Sequence, residues 1–207
     1  DGGWIVTNAA PFVNIPNYPD HTALLDTLRT QPRVILIDAD GYQPAVLSMP
    51  LGFQIASMRG LRWVSERILP RPLMAASLRS VFGEPERVTP ERIDRYFELN
   101  LRVGNRRALF QRMDQATFGE SAPLIRRITQ PTLVLWGTED LVNRPSGAQS
   151  LQRRMPHCDV YLFSRTGHWV QWERSAEFNA AVIAFARRCS MISARPLTWL
   201  YSDDGQI

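Results

Sequence analysis

The sequence predicts an α/β fold, a partial parallel sheet with flanking helices, interrupted by an all-helical insertion. Three observations carry this. The runs Thr132-Leu133-Val134-Leu135-Trp136 and Asp159-Val160-Tyr161-Leu162-Phe163 are apolar, strand-length, and each leads into a glycine-containing turn. Helical patterns follow both runs, as a strand–helix–strand alternation requires. Between Pro44 and Pro90, six prolines break the chain into short helical patterns with no strand between them.

Taken in order, the chain divides into four zones. Residues 1–40 end in Val34-Ile35-Leu36-Ile37-Asp38, which reads as a buried parallel strand. Pro11, Pro16 and Pro19 make Ala10–Pro19 loop-like, and Asp20–Arg29 reads as a short helix capped by Asp20, with Leu24, Leu25 and Leu28 on one face. Residues 41–118 are the helical zone. Its best helix start is Thr89-Pro90-Glu91, a cap residue, a proline at the first helical position and an acid in the first turn. Ile93, Tyr96, Phe97 and Leu101 then recur at helical spacing. Met49, Phe53, Met58, Trp63 and Met74 either line a pocket there or form plain core, and core is the commoner use of such residues. Residues 119–188 return to strand–helix alternation, with helices expected near Ser146–Met155 and over Glu177–Arg188. Residues 189–207 carry no period and read as a tail.

Composition excludes several function classes. Hydrophobic residues make up 44% and charged residues 21% of the 207, as in an ordinary globular domain. No apolar run approaches the roughly 20 residues of a membrane span, and no leader-like basic and apolar region opens the sequence. All 24 basic residues are arginine, scattered rather than striped with aromatics, so a nucleic-acid groove is not expected despite a net charge of +4. Cys158 and Cys189 make no disulfide framework, and His21, His157 and His168 make no ligand cluster. The expectation is a cytoplasmic protein without metal or cofactor.

The chemistry points to two residues. If the strands at 132–136 and 159–163 are adjacent and parallel, their turns present Asp140 and His168 at the same carboxyl edge, where open α/β sheets build their sites. An acid that orients a histidine base is two thirds of a nucleophilic triad. Glu139 is expected to face solvent, and His21 and His157 are expected to be ordinary surface or loop residues.

The sequence resembles the α/β-hydrolase fold family over most of residues 34–188. Pro131–Asp140 resembles that family's strand and acid turn, Gly167-His168-Trp169-Val170-Gln171-Trp172-Glu173 its histidine turn, and Phe178-Asn179 with Val182-Ile183-Ala184-Phe185 its closing helix. The histidine turn is most similar to the meta-cleavage product hydrolases, which hydrolyse carbon–carbon bonds in ring-fission dienoates. The insertion Leu69–Met113 looks like the cap of esterase-like members. Gly2-Gly3-Trp4-Ile5 resembles the residues just after the family's Gly-x-Ser-x-Gly nucleophile elbow, which would put the serine immediately before Asp1. Ser48, Ser121 and Ser146 lack the glycines that the strained elbow needs, Pro123 standing where the second would be after Ser121.

The resemblance implies these roles: Asp140 the triad acid, His168 the general base, the backbone N–H of Asp1 an oxyanion donor. Trp169 either flanks the substrate or packs against the cap. The domains implied are residues 1–40 as a core remnant after the elbow, 41–118 as the cap, 119–188 as the core carrying acid and base, and 189–207 as the tail. The implied reaction is hydrolysis of a small-molecule ester, or of a carbon–carbon bond beside a carbonyl, with the nucleophile absent from this chain. Two alternatives stay open: a degenerate, non-catalytic module that binds an apolar small molecule, or a haloalkane dehalogenase or epoxide hydrolase with an aspartate nucleophile. Without the nucleophile strand, the run at 34–38 is expected to be a bare sheet edge, covered by a second copy of the chain or by a missing amino-terminal segment.

Overall fold

The computed structural model describes residues 5–8, 33–39, 54–55, 58, 60, 62–115, 122–191 and 200–202. Its sheet has five parallel strands in the order β1-β2-β3-β4-β5: β1 Ile5–Asn8, β2 Val34–Ile37, β3 Thr132–Gly137, β4 Cys158–Phe163 and β5 Leu200–Ser202. The central runs are continuous in apolar residues because both faces are covered. Val34, Leu36, Val134, Trp136, Val160 and Leu162 face one way, onto Ile125, Ile128, Ala148, Leu151 and Met155. Ile35, Ile37, Leu133, Leu135 and Phe163 face the other, onto Val170, Phe178, Val182 and Phe185. Alternate residues of a strand point to opposite faces, so a shift of one residue would exchange the two cores.

The crossovers supply these layers. Helix α5, Ser146–Arg154, links β3 to β4 on the first face, and α7, Ser175–Met191, follows β4 on the second. A short α6, Val170–Glu173, begins two residues after His168. Trp136 anchors the first face: it is 1% exposed, and its indole N–H donates to the Asn143 carbonyl at 3.0 Å.

Between β2 and β3 lie α1 Arg62–Arg67, α2 Arg71–Arg79, α3 Pro90–Leu101 and α4 Asn105–Gln115. Thr89 caps α3, its hydroxyl oxygen accepting the Arg92 N–H at 3.4 Å. Ile93 is buried with Ala75, Leu78, Val81, Phe82 and Val88, and Tyr96, Trp169 and Trp172 pack against them. The helical insertion is therefore seated on the segment that carries His168. Arg106 ties its outer helices together by donating to the carbonyls of Glu66 at 2.8 and 2.6 Å and of Asn100 at 2.7 Å. No helix among the described residues is long and apolar enough to cross a membrane.

Several expectations need correction. The tail, although it carries no period, contributes a strand: Leu200–Ser202 pairs in parallel with Tyr161–Phe163. A three-residue strand is too short to display a period. Nor is β2 a bare edge, because Ile5–Asn8 pairs with it in register from Ile5↔Val34 to Asn8↔Ile37. Ile5, Val6 and Thr7 are β-branched, and such residues fit an open apolar edge well. Leu101, Met58 and Trp63 are 46%, 55% and 63% exposed, so these three are neither core nor a closed pocket. Met74 is half-buried, while Met49, Phe53, Ala10–Pro19 and Asp20–Arg29 lie outside the described residues.

One charge sits inside a strand. Asp159, 4% exposed on β4, receives Arg188 Nη2 of α7 at 3.0 Å on Oδ2, while Oδ1 has no partner among the described residues. Burial raises its pKa and Arg188 pulls it down. Arg188→Ala leaves a buried carboxylate uncompensated. Because Arg188 is partly solvated, the expected loss is about 1–2 kcal/mol in denaturant unfolding at neutral pH. That loss is smaller near pH 4, where the carboxyl is free to protonate, and equal losses at both pH values would contradict the pairing.

Candidate active site

Three strands end together at the carboxyl edge, and each delivers one ionisable side chain. β2 is followed directly by Asp38, β3 leads through Thr138-Glu139 to Asp140, and β4 leads through Ser164–Gly167 to His168. All three side chains are buried, at 0%, 1% and 1% exposure. Glu139 is exposed, as expected.

Asp140 and His168 meet as anticipated. Asp140 Oδ2 lies 2.8 Å from His168 Nδ1. Its Oδ1 accepts the backbone N–H groups of Val142 at 2.8 Å and Asn143 at 2.9 Å, so both carboxylate oxygens are engaged and aimed. A carboxylate accepts only, which assigns the ring proton to Nδ1. Nε2 is then the basic nitrogen, and it is buried with no hydrogen-bond partner among the described residues.

The two turns are locked to each other through their backbones. Thr138 N–H donates to the Phe163 carbonyl at 3.0 Å, Glu139 N–H to the Thr166 carbonyl at 2.9 Å, and Arg165 N–H to the Thr138 hydroxyl at 3.0 Å. Their approach is too close for a side chain. A Cβ on Gly137 would lie 2.1 Å from the Gly167 carbonyl oxygen and 2.2 Å from that of Thr166. On its other side, the base turn is held by the segment after α2: His168 N–H donates to the Val81 carbonyl at 2.8 Å.

Glu173 completes this lock. It is 6% exposed, and its Oε1 accepts Gly167 N–H at 2.7 Å while Oε2 accepts Gly83 N–H at 2.9 Å and Glu84 N–H at 3.4 Å. Burial raises its pKa, and these three N–H groups oppose that rise. One carboxylate thus pins the base turn to the start of the segment joining α2 and α3. No sequence signal assigns Glu173 a task, since its partners are backbone groups that leave no mark on the sequence.

In the sequence Asp38 likewise marks only a strand end. It sits at φ 44, a left-handed conformation that aspartate tolerates better than most residues. Its Oδ1 accepts Gly137 N–H at 3.2 Å, and its carbonyl accepts Asn143 Nδ2 at 2.8 Å. Its Oδ2 has no partner among the described residues. Burial first, and the Asp140 charge second, raise its pKa well above the ordinary aspartate range. Atoms of Asp38, Asp140 and His168 come within 4.8 Å of one another, a grouping that could also hold a cation. The existing bonds of Asp140 and of His168 Nδ1 favour reading it as two acids and a base.

Trp169 is half-buried beside the base, stacked on Tyr96 with centroids 5.0 Å apart and edge-on to Phe82 at 5.7 Å. It packs against the helical insertion. Asp1 lies outside the described residues.

Two outcomes follow from this geometry. Gly137→Ala forces backbone apart and is expected to cost roughly 2–3 kcal/mol of unfolding free energy, whereas Gly60→Ala, with nothing within 4 Å of the new atom, should stay within about 0.5 kcal/mol of the parent. Equal effects would mean that the turns are not in contact. The second concerns pH. Asp38 binds its proton more tightly when folded, so its contribution to stability is complete below its unfolded pKa and is lost as pH rises through the folded value. Wild type should therefore lose stability relative to Asp38→Asn as pH rises from about 4. Parallel stability–pH curves would contradict a protonated Asp38.

A family model for the alpha/beta hydrolase fold matches residues 23–175. A 2-hydroxy-6-oxononadienedioate/2-hydroxy-6-oxononatrienedioate hydrolase of Pseudomonas sp is 34% identical over 107 residues, covering 50% of this chain and 38% of that protein. A 2-hydroxy-6-oxo-6-phenylhexa-2,4-dienoate hydrolase of Burkholderia cepacia is 34% identical over 64 residues, 31% of this chain and 22% of the relative. Among solved structures, a meta-cleavage product hydrolase from Pseudomonas fluorescens superposes with a TM-score of 0.68 at 21% identity, covering 90% of this chain and 65% of that one. The chain thus spans well under half the length of these curated relatives, and the structural likeness speaks for the fold alone. With a matching family model over about three quarters of its length and a parallel sheet that brings its acid and base turns together, the chain belongs to the alpha/beta hydrolase fold family.

Proposed function

We propose that Asp140 and His168 are the acid and base of a serine-type hydrolase acting on a small-molecule ester or on a carbon–carbon bond beside a carbonyl. The observation that carries this is the 2.8 Å bond from His168 Nδ1 to an Asp140 whose two oxygens are both engaged, with Nε2 buried and without a hydrogen-bond partner among the described residues. His168 Nε2 would take the proton of a nucleophilic hydroxyl as it attacks the substrate carbonyl, then return it to the leaving group. Asp140 would hold the tautomer and stabilise the imidazolium. The carbon–carbon option draws support from the names of the relatives.

The nucleophile in this reading is a serine preceding Asp1, outside the 207 residues, and the N–H of Asp1 serves the oxyanion when Asp1 is an internal residue. Residues 41–118 act as the cap over the site and 119–188 as the catalytic core. The mutual support of cap and base turn through Glu173, Trp169 and Val81 agrees with such a division.

The test compares two proteins on p-nitrophenyl esters and on a ring-fission dienoate. The 207-residue chain should show no turnover that depends on His168. A version extended through the upstream coding sequence should turn over substrate and lose about 10³- to 10⁶-fold on His168→Ala. Upstream sequence with no in-frame Gly-x-Ser, or turnover indifferent to His168, would replace this reading with a binding module.

A further inference from the structure

We infer that Glu173 is a positioning residue for His168: its carboxylate joins the base turn to residues 81–84 of the helical insertion, so that the ring is in place only while that segment is docked. The inference rests on reading His168 as the base. It makes the α2–α3 half of the insertion part of the base's support rather than a separate cover.

Glu173 is reached from both sides of this joint. The Gly167 N–H comes from the base turn, 2.7 Å from Oε1, and the Gly83 and Glu84 N–H groups come from the insertion, 2.9 and 3.4 Å from Oε2. The residue after Gly167 is His168, whose own N–H donates to the Val81 carbonyl at 2.8 Å. The ring is therefore one residue from the carboxylate's first bond and two residues, through Val81, from its second. Between the two backbones there is no space for a side chain. A Cβ on Gly83 would lie 2.6 Å from the Arg165 carbonyl oxygen, and one on Gly167 would lie 2.5 Å from the Gly83 nitrogen. Gly167 is buried, so its N–H loses its partner outright if the carboxylate is taken away.

The other contacts across the joint do not fix its register. Phe82, Tyr96, Trp169 and Trp172 pack there, but apolar attraction is non-directional. Glu84 meets Arg174 at 3.4 Å and Arg165 at 3.5 Å, long pairs of which the second faces solvent. Bonds from N–H groups to a carboxylate are about twice as strong as neutral ones and hold a set geometry. An amide of the same shape cannot replace it. Glutamine has one carbonyl oxygen, and its NH2 group would face N–H donors. It must release either Gly167 or the Gly83 and Glu84 pair, and either release opens the joint.

Hydrogen exchange of the 207-residue chain, followed by NMR, tests the joint without any substitution. The amides of Gly83, Gly167 and His168 should exchange through one shared opening, with protection equal within about threefold. Gly83 protected about tenfold less than Gly167 and His168 would mean that segment 81–84 leaves while the base turn stays, and would overturn the proposal. Glu173→Gln then asks whether the joint reaches the ring. The Nδ1 proton of His168 should exchange with water at least about tenfold faster than in wild type. Arg188→Ala, which weakens the fold near the other end of β4, should leave that proton unchanged. An unchanged Nδ1 proton in folded Glu173→Gln contradicts the positioning role. Equal acceleration in Arg188→Ala does so too, because it marks a general loss of stability. If the glutamine variant does not fold, the exchange pattern of the wild type decides alone. None of these readouts needs a nucleophile, so failure of the hydrolase reading and failure of the joint are separate results.

Discussion

Everything at the carboxyl edge depends on how closely the turn after β3 can approach the turn after β4. The space between Gly137 and the carbonyls of Thr166 and Gly167 admits no side chain, and three backbone-donated hydrogen bonds cross the same gap. That approach sets the 2.8 Å separation of Asp140 and His168. A misplacement of about 1 Å between catalytic groups can cost a hundredfold in rate. Rigid backbone, rather than the two side chains, therefore carries the precision of the site.

The second constraint is electrostatic. Asp38, Asp140, His168 and Glu173 crowd into a volume from which water is excluded, and three of the four are carboxyls. Glu173 is compensated by three N–H groups and Asp140 by two N–H groups and the ring. Asp38 has fewer donors, and burial first, with the Asp140 charge second, raises its pKa well above the ordinary aspartate range. Donors are thus allotted unevenly among similar acids. The helical insertion takes part as well, since the Gly83 and Glu84 N–H groups come from its side of the interface.

Much of this was legible in the sequence, and the reasons are local. The strands at 34–37, 132–137 and 158–163 announce themselves because a strand buried on both faces must be apolar throughout. Asp140 and His168 could be named because each follows such a run within a few residues, through a turn containing glycine. The Thr89 cap was equally plain. What escaped was non-local. Asp38 follows its strand as directly as any site residue, yet its importance lies in β2 being next to β3, nearly a hundred residues away in sequence. Glu173 binds backbone donors, which have no signature. β1 and β5 are too short to show a pattern, and their pairing reflects an available sheet edge rather than their own period. Trp63 and Met58 look like core residues in any window of sequence, yet both are exposed, Trp63 on an α1 that buries none of its side chains.

In the proposed reading His168 is a base aimed by Asp140, with its proton on Nδ1 and its lone pair on Nε2. Nitrogen NMR of ¹⁵N-histidine-labelled protein, at a pH where the ring is neutral, tests it most directly. A protonated Nδ1 and a bare Nε2 are expected for the resonance that disappears in a His168 variant. The opposite tautomer, with the proton on Nε2, would mean that Asp140 does not orient the ring and that the pair is structural rather than catalytic.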